Sequence, residues 1–285
     1  MTHLILDNEI LIRVGAFVGV FVLVATWETL APRRANTFSR SLRWPSNFGL
    51  LALNALAVRF LFPLAAVGTA ALVETMGWGL LNVVRVHFAI AVLISVIALD
   101  LAIYLQHLLF HAVPVLWRLH RVHHTDLDFD VTTGIRFHPF EIILSMLIKL
   151  SAVTIIGAPV VAILIFEVLL NATSMFNHGN IRLPESTDRL LRLFIVTPDM
   201  HRVHHSVLPF ETNSNFGFNL PWWDYLFGTY RAQPNPSHDA MTVGIKEFRG
   251  PKSLRFAWLL IQPALGTTGD YTKKSLGRRP RDDNI

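Results

Sequence analysis

Residues 86–124 read VHFAIAVLISVIALDLAIYLQHLLFHAVPVLWRLHRVHH. From Val86 to Phe110 the stretch is apolar almost throughout. At ~1.5 Å per residue, a helix of that length crosses a bilayer core of about 30 Å. Its polar residues are not scattered. Asp100, Tyr104, His107 and His111 recur at i, i+4, i+7 and i+11, which is one stripe of one helix. An ionisable residue inside a span is costly and is read first as functional. The stretch then ends in His120-Arg-Val-His123-His124, where i, i+3 and i+4 spacing lets three imidazoles gather on one side of a helix. A membrane span running into histidine-rich helical turns is therefore the nucleus of the fold.

Three other apolar regions flank it: roughly Ile10 to Leu30, Phe48 to Leu72 (interrupted by Arg59) and Ile142 to Met175. The first two fit one span each. The last is too long for one and holds Gly157-Ala158-Pro159 near its middle, where Gly and Pro mark a break. Two short helices folded as a hairpin is the simplest reading; a single kinked span is the alternative. Charge favours the hairpin. Segment 31–46 carries Arg33, Arg34, Arg40 and Arg43, segment 112–139 carries Arg118, Arg121 and Arg136, and 179–285 carries 14 Lys plus Arg. If all three face the cytoplasm, only a hairpin after residue 140 returns the tail to that side. The expected fold is all-α: an integral-membrane helical bundle of about four spans, the last a broken hairpin, under a cytosolic helical cap rich in histidine.

Composition agrees. Hydrophobic residues make up 52% of the 285 and charged residues 16%, against about 25% charged in soluble proteins. Mean hydropathy is +0.43. The net charge of +5 sits between apolar blocks, as topology requires, rather than in a nucleic-acid-binding patch. The N-terminal block lacks the basic start and cleavage site of a secretory signal and reads as an uncleaved span. Cysteine is absent, which excludes disulfides, thiolate-held zinc, iron–sulfur clusters and a cysteine nucleophile.

Histidine takes its place. Of 13 histidines, 10 lie between His107 and His205. A third cluster, His201-Arg-Val-His204-His205, repeats the spacing of the second. A lone pair four apart arises readily by chance, whereas two copies of the five-residue pattern plus His107 and His111 do not. Eight imidazoles exceed what one tetrahedral ion takes and suit two adjacent ions with open positions. His178, in Phe-Asn-His-Gly-Asn after the last apolar region, is favoured as a ninth ligand, with a helix C-cap turn as its structural alternative.

Around these lie candidate supporting residues. Asp100 either fixes the tautomer of a ligating imidazole or pairs with Arg59. Tyr104 shares its stripe. His138, in Arg136-Phe-His-Pro-Phe-Glu141, is read first as an outer donor, then as a ligand or a turn residue. Asn177 adjoins His178. Asp224 lies in an aromatic run, Trp222-Trp223-Asp224 to Tyr230, that forms a cap over the site, an interfacial belt or both. His3, His87 and His238 are far from the clusters and are read as incidental. Gly266 to Ile285 is read as a mobile end.

With these residues in view, the sequence from about Asp100 to Tyr230 resembles the fatty acid hydroxylase and sterol desaturase superfamily. The resemblance rests on Asp100, Tyr104, His107 and His111, on Trp117-Arg-x-His120-x-x-His123-His124, on Arg136-x-His138-Pro-x-Glu141, on Asn177-His178-x-Asn180, on His201-x-x-His204-His205, and on Trp223-Asp224 with Phe227-Gly-Thr. It implies a four-helix membrane anchor beneath a cytosolic metal cap, two iron ions, O2 as co-substrate and an external reductant. It implies ligand roles for His107, His111, His120, His123, His124, His178, His201, His204 and His205. Some members carry a further histidine four positions before the residue matched by His178; here that position is Ser174. No stretch resembles the fused cytochrome b5 domain of other members, so a separate ferredoxin- or cytochrome-type donor with its reductase is expected. The expected division is an anchor at 1–85, a histidine-cluster domain at 86–232 including the hairpin 140–177, and a cytoplasmic tail at 233–285. The expected activity is hydroxylation or desaturation of an unactivated C–H position of a lipid at the bacterial inner membrane. The rivals are a carotenoid ring hydroxylase, a membrane metal-binding or transport protein, and a zinc lipid hydrolase; the last is disfavoured by the absence of HExxH.

Overall fold

The computed structural model describes residues 8–84 and 86–272. Among the described residues five stretches are long and apolar enough to cross a membrane: Glu9–Leu30, Arg40–Val84, Phe88–Ala112, Pro139–Ile156 and Val160–Asn177. Among the described residues no strand forms, only isolated bridges at Pro32–Ile181 and Ser206–Val243. The architecture is all-α.

Helix α1 (Glu9–Leu30) runs toward the histidine end, and α2 (Arg40–Leu61) runs away from it. The second apolar region, expected as one span, breaks at Phe62-Pro63-Leu64. Proline supplies no amide hydrogen and clashes with the carbonyl four residues back. The chain resumes as α3 (Ala65–Met76) and the short α4 (Leu80–Val84). Helix α5 (Phe88–Ala112) returns to the histidine end, with the His87 ring accepting from the Ala89 amide at its start. That cap is the role of one histidine read as incidental. Pro114 then opens α6 (Pro114–His124).

The last apolar region is a hairpin of α7 (Pro139–Ile156) and α8 (Val160–Asn177). Gly157 caps α7 at φ +71, and a Cβ there would sit 2.9 Å from the Trp78 carbonyl oxygen. A left-handed turn against another backbone admits glycine alone at low cost. Helices α3, α5, α7 and α8 share an apolar core around Ala66, Leu99, Val153, Ile163 and Phe166. Ile10, Leu11, Val14, Val18 and Leu23 of α1 point outward, as lipid-facing residues do.

At the histidine end the binding elements are polar. Glu28 of α1 accepts from the amides of Val131 and Asn180 at 3.0 and 3.1 Å. Arg43 of α2 is fully buried and bonds Asp126 at 2.7 Å and Asp130 at 2.6 Å. Arg136 donates to the Val122 carbonyl at 2.8 Å. Several arginines that charge counting assigns to solvated loops are thus internal ties; Arg43, Arg121, Arg136 and Arg202 are all buried.

Residues 233–272 do not hang free. A short helix, Phe256–Ile261, packs on α2, and the chain then lies along α6. Arg121 donates to the carbonyls of Gln262 and Thr267, both at 2.6 Å, and of Leu265. Tyr271 stacks on Trp117 with centroids 5.3 Å apart. The expectation of a mobile end from Gly266 is therefore corrected as far as residue 272, because two arginines of α6 need carbonyl partners. Residues 273–285 lie outside the described residues.

Candidate metal centre

Successive residues on a helix are rotated by ~100°, so i and i+4 nearly align while neighbours diverge. This splits each His-x-x-His-His pattern. His120 and His124 join His107, His111 and His204 in one buried group, while His123 turns the other way. His201 and His205, from the helix Pro198–His204 and its C-cap, join His123 and His178 in a second group. Within each group the candidate ligand atoms lie within 4.8 Å of one another. The groups touch: the His124 and His205 rings stack at 4.5 Å. All nine histidines predicted as ligands are brought together, but the second and third clusters are shared between groups rather than each serving one.

The ring nitrogens show what the groups can hold. His107 Nδ1 donates to the Phe216 carbonyl at 2.8 Å, His120 Nδ1 to Glu141 Oε1 at 2.6 Å, His178 Nδ1 to the Ser174 carbonyl at 2.7 Å, and His204 Nδ1 to the Ser214 carbonyl at 2.7 Å. His111 Nδ1 lies 3.2 Å from Asn213 Oδ1. Each such bond puts the proton on Nδ1 and leaves Nε2 a lone pair. Yet His107 Nε2 lies 3.1 Å from His120 Nε2, which lies 3.2 Å from His124 Nε2. In the second group His178 Nε2 is 3.1, 3.2 and 3.0 Å from Nε2 of His123, His205 and His201. For His107 and His120, both protonated on Nδ1, two lone pairs face each other at 3.1 Å and repel unless a cation lies between them. An ion ~2.1 Å from two nitrogens, with ligand angles of roughly 90–110°, holds them about 3.0–3.4 Å apart. The spacing fits a metal in each group. His111 Nε2 and His204 Nε2 are likewise buried with no partner among the described residues. Burial holds the imidazoles of His123, His124, His201, His204 and His205 well below the usual histidine range, and mutual repulsion adds to it. They are neutral at physiological pH, as ligands must be.

The supporting residues are partly as expected and partly not. Asp100 bonds neither an imidazole nor Arg59. Its carboxylate accepts from Trp223 Nε1 at 2.8 Å and from the amides of Asn219 and Leu220 at 3.3 Å. Asp224 accepts from the amides of Phe216 and Gly217, both at 2.8 Å, and from Thr229 Oγ1 at 2.7 Å. The two acids therefore clamp loop 215–220, whose Phe216 carbonyl orients His107. Burial pushes the Asp224 carboxyl up to about 6, against the pull of its hydrogen bonds. The hydroxyls of Tyr104 and Thr229 bond each other at 2.8 Å, and Asn177 donates to the Phe218 carbonyl at 3.0 Å; both brace the same loop. His138 belongs to neither group. It caps α7, accepting from the Phe140 amide at 3.2 Å, and its Nε2 meets the Leu260 carbonyl at 3.2 Å. His178 is ligand-placed and helix C-cap at once. At the position of the further family histidine, Ser174 Oγ donates to the Gly134 carbonyl at 2.8 Å and points to neither group. His238 is buried beside Asp199 at 3.9 Å, and His3 lies outside the described residues.

Glu141 and Asn213 were not singled out from sequence, and both bond candidate ligands. Glu141 follows His138-Pro139 in a quoted motif, so a signal existed. Asn213 sits in an Asn-Ser-Asn run that gives none.

Below the first group opens a cavity of about 450 Å³ between α2, α5, α7 and α8. His107, His120, Phe110, Phe137 and Glu141 line its inner end. Its size is that of small-ligand pockets, ~300–1,000 Å³.

The sequence model of the family described as fatty acid hydroxylase matches residues 92–229. Over just under half of its length the chain is similar to the fatty acid hydroxylase family. The matched fatty acid hydroxylase segment begins within α5 and ends past Asp224, so it holds all nine clustered histidines. The chain is similar to the ornithine lipid hydroxylase OlsE of Rhizobium tropici, 27% identical over 68% of this chain and 55% of that protein. It is similar to the alkylglycerol monooxygenase of Homo sapiens, 26% identical over 53% of this chain and 33% of the other. It is also similar to the cholesterol 25-hydroxylase of Rattus norvegicus, 30% identical over 50% of this chain and 48% of that protein. The chain thus spans roughly a third to just over half the length of these relatives. No solved structure matches.

Proposed function

We propose that this protein is a membrane di-iron oxygenase that hydroxylates or desaturates an unactivated C–H position of a lipid. One observation carries the reading: two adjacent groups of buried imidazoles hold Nε2 atoms 3.0–3.2 Å apart, and the first group stands at the inner end of a cavity of about 450 Å³. The family and the lipid-acting relatives support it.

His107, His111, His120, His124 and His204 would hold one ion, and His123, His178, His201 and His205 the other. Imidazole suits iron, zinc, copper and nickel alike, so the choice of iron rests on the family. With O2 and electrons from a separate ferredoxin- or cytochrome-type donor, bound iron would supply the oxidising power that removes hydrogen from carbon. The chain's own residues do the remaining work. The cavity walls of α2, α5, α7 and α8 align a lipid chain with its reacting carbon beside His107 and His120. Phe110, Phe137 and Phe218 keep water from that end. Glu141, Asn213 and the carbonyls of Ser174, Ser214 and Phe216 fix five imidazole tautomers so that Nε2 faces inward.

Residues 86–232 would carry the chemistry, with 1–85 as anchor. The histidine end would face the cytoplasm, supported by the arginine-bearing segments 31–46 and 112–139 at that end. The long alignment with a Rhizobium protein supports a bacterial inner membrane. A transporter would place ligands near mid-membrane rather than at span ends.

The test is metal analysis of detergent-purified protein from iron-replete cells, with Mössbauer spectroscopy. About two irons per chain, reduced on His120→Ala or His204→Ala, is the expected result. One zinc and no iron, persisting after anaerobic reconstitution with ferrous iron, would overturn it in favour of the hydrolase.

A further inference from the structure

The cavity's other end is not apolar. Arg13 of α1, Arg59 of α2 and Lys149 of α7 line it, with Glu167 of α8 as the acid among them. Lys149 Nζ bonds Glu167 Oε1 at 2.8 Å, and Arg13 Nη1 reaches Glu167 Oε2 at 3.1 Å and Glu9 at 2.7 Å. Glu167 is thus neutralised by two cations. Arg59 has no ion-pair partner among the described residues. Arg59, Ala55 and Asn171 are the exposed members of the lining, and Arg59 is the charged one among them. All four charges lie inside spanning helices, where ionisable groups are retained for a purpose. A sterol or hydrocarbon would need none of them. An ion clamp between α1, α7 and α8 would explain Lys149, Glu167 and Arg13, but not a third, unpaired and exposed cation.

We propose that Arg59, backed by Lys149 and Arg13, binds the anionic group of an amphipathic lipid, so that the substrate enters tail first and is oxidised along its chain. This rests on the oxygenase reading and names its substrate class: a lipid with a carboxylate or phosphate on a single inserted chain. The distances set a ruler. Lys149 lies about two helical turns, ~12 Å, from Glu141 on α7. Glu167 lies about two turns, ~10 Å, from Ser174 on α8. A chain anchored at this charged end therefore meets His107 and His120 with mid-chain carbons rather than with those next to the anion. The cavity is the right size for one chain. At ~30 Å³ per small heavy group, it takes about fifteen.

The experiment uses the full-length, metal-loaded protein in phosphatidylcholine nanodiscs. The probe is hexadecanoate carrying a mid-chain diazirine, photolysed and mapped by peptide mass spectrometry. Hexadecanoate, hexadecyl phosphate, hexadecanol and hexadecyltrimethylammonium compete. Label should fall on the segments around Phe110 and Phe137. The two anions should compete roughly tenfold better than hexadecanol, the scale of one charge-assisted hydrogen bond. Hexadecanoate outrunning the phosphate identifies a carboxylate source, and the reverse a phosphate; either supports an anion site. Arg59→Gln should abolish the advantage and Arg59→Glu should hand it to the ammonium. Arg59 is exposed, so these variants test the site even if Lys149→Met fails to fold. Equal competition by anion and alcohol, or an anion advantage that survives both Arg59 variants, overturns the proposal. Metal content of the same samples is read separately. Loss of iron with the anion preference intact would sink the oxygenase and leave the binding site standing.

Discussion

Replacing Glu141 should weaken one metal site and spare the other. The Glu141–His120 bond of 2.6 Å is shorter than the ~2.9 Å of a neutral N–H···O contact, as a charged acceptor makes it. Both side chains are buried, and water cannot readily substitute. In Glu141→Leu, His120 loses the acceptor that keeps its proton on Nδ1. The proton then populates Nε2, aimed at His107 Nε2 3.1 Å away, where a metal must bind. Loss of such an outer partner typically costs about 10–100-fold in metal affinity, or roughly 1.4–2.7 kcal/mol. The second group has its own supports, including the Ser174 carbonyl, and none of its imidazoles bonds Glu141 among the described residues. Chelator competition on the purified protein should therefore show one ion released about 10–100-fold more readily and the other unchanged. Glu141→Gln keeps an acceptor and should recover most of the loss. If Glu141→Leu releases both ions together, or neither, the two-group assignment and the tautomer argument both fail.

Further outcomes follow from the same geometry. Because burial holds the His124 and His205 imidazoles well below ~6.5, they stay neutral as pH falls through that value and protonate only below it. Bound metal should be retained as pH falls through ~6.5 and leave only at lower pH, which dialysis with metal analysis would measure; half-release at ~6.5 would contradict it. Arg43→Met leaves Asp126 and Asp130 buried and unpaired, so thermal unfolding should show a loss of about 3–5 kcal/mol; a variant as stable as the parent would show the network to be dispensable. Gly157→Ala forces a side chain into a left-handed turn against Trp78 and should cost roughly 1–3 kcal/mol, seen as a lower melting temperature in detergent. Tyr271→Ala removes the ring stacked on Trp117, which itself packs on His111 at 4.8 Å. It should speed metal release from the first group with less effect on the second, as timed by a colorimetric chelator.

The sequence by itself determined the apolar regions, the hairpin and which nine histidines gather, because each depends on local spacing. Gly157-Ala-Pro159 can only turn, apolar runs of sufficient length can only be buried or face lipid, and imidazoles four apart on a helix must share a face. The sequence also made the histidine end one end, since arginines near spans choose a side. Which imidazole serves which ion was not legible. His123 and His124 adjoin in sequence and part by ~100° on the helix, and only the docking of α6 against the helix Pro198–His204 decides where each turns. The role of Asp100 was misplaced for the same reason: its stripe on α5 predicts a face, but a loop more than a hundred residues later supplies the Trp223 and amide donors that claim it. His138 has the right chemistry and the wrong position, because Pro139 starts a helix there and its ring is used as the cap. The C-terminal segment looked solvated by composition, yet its carbonyls are what Arg118 and Arg121 require. The cavity and its charged end were equally hidden. Arg13, Arg59, Lys149 and Glu167 come from four helices, and no spacing within one of them announces the others.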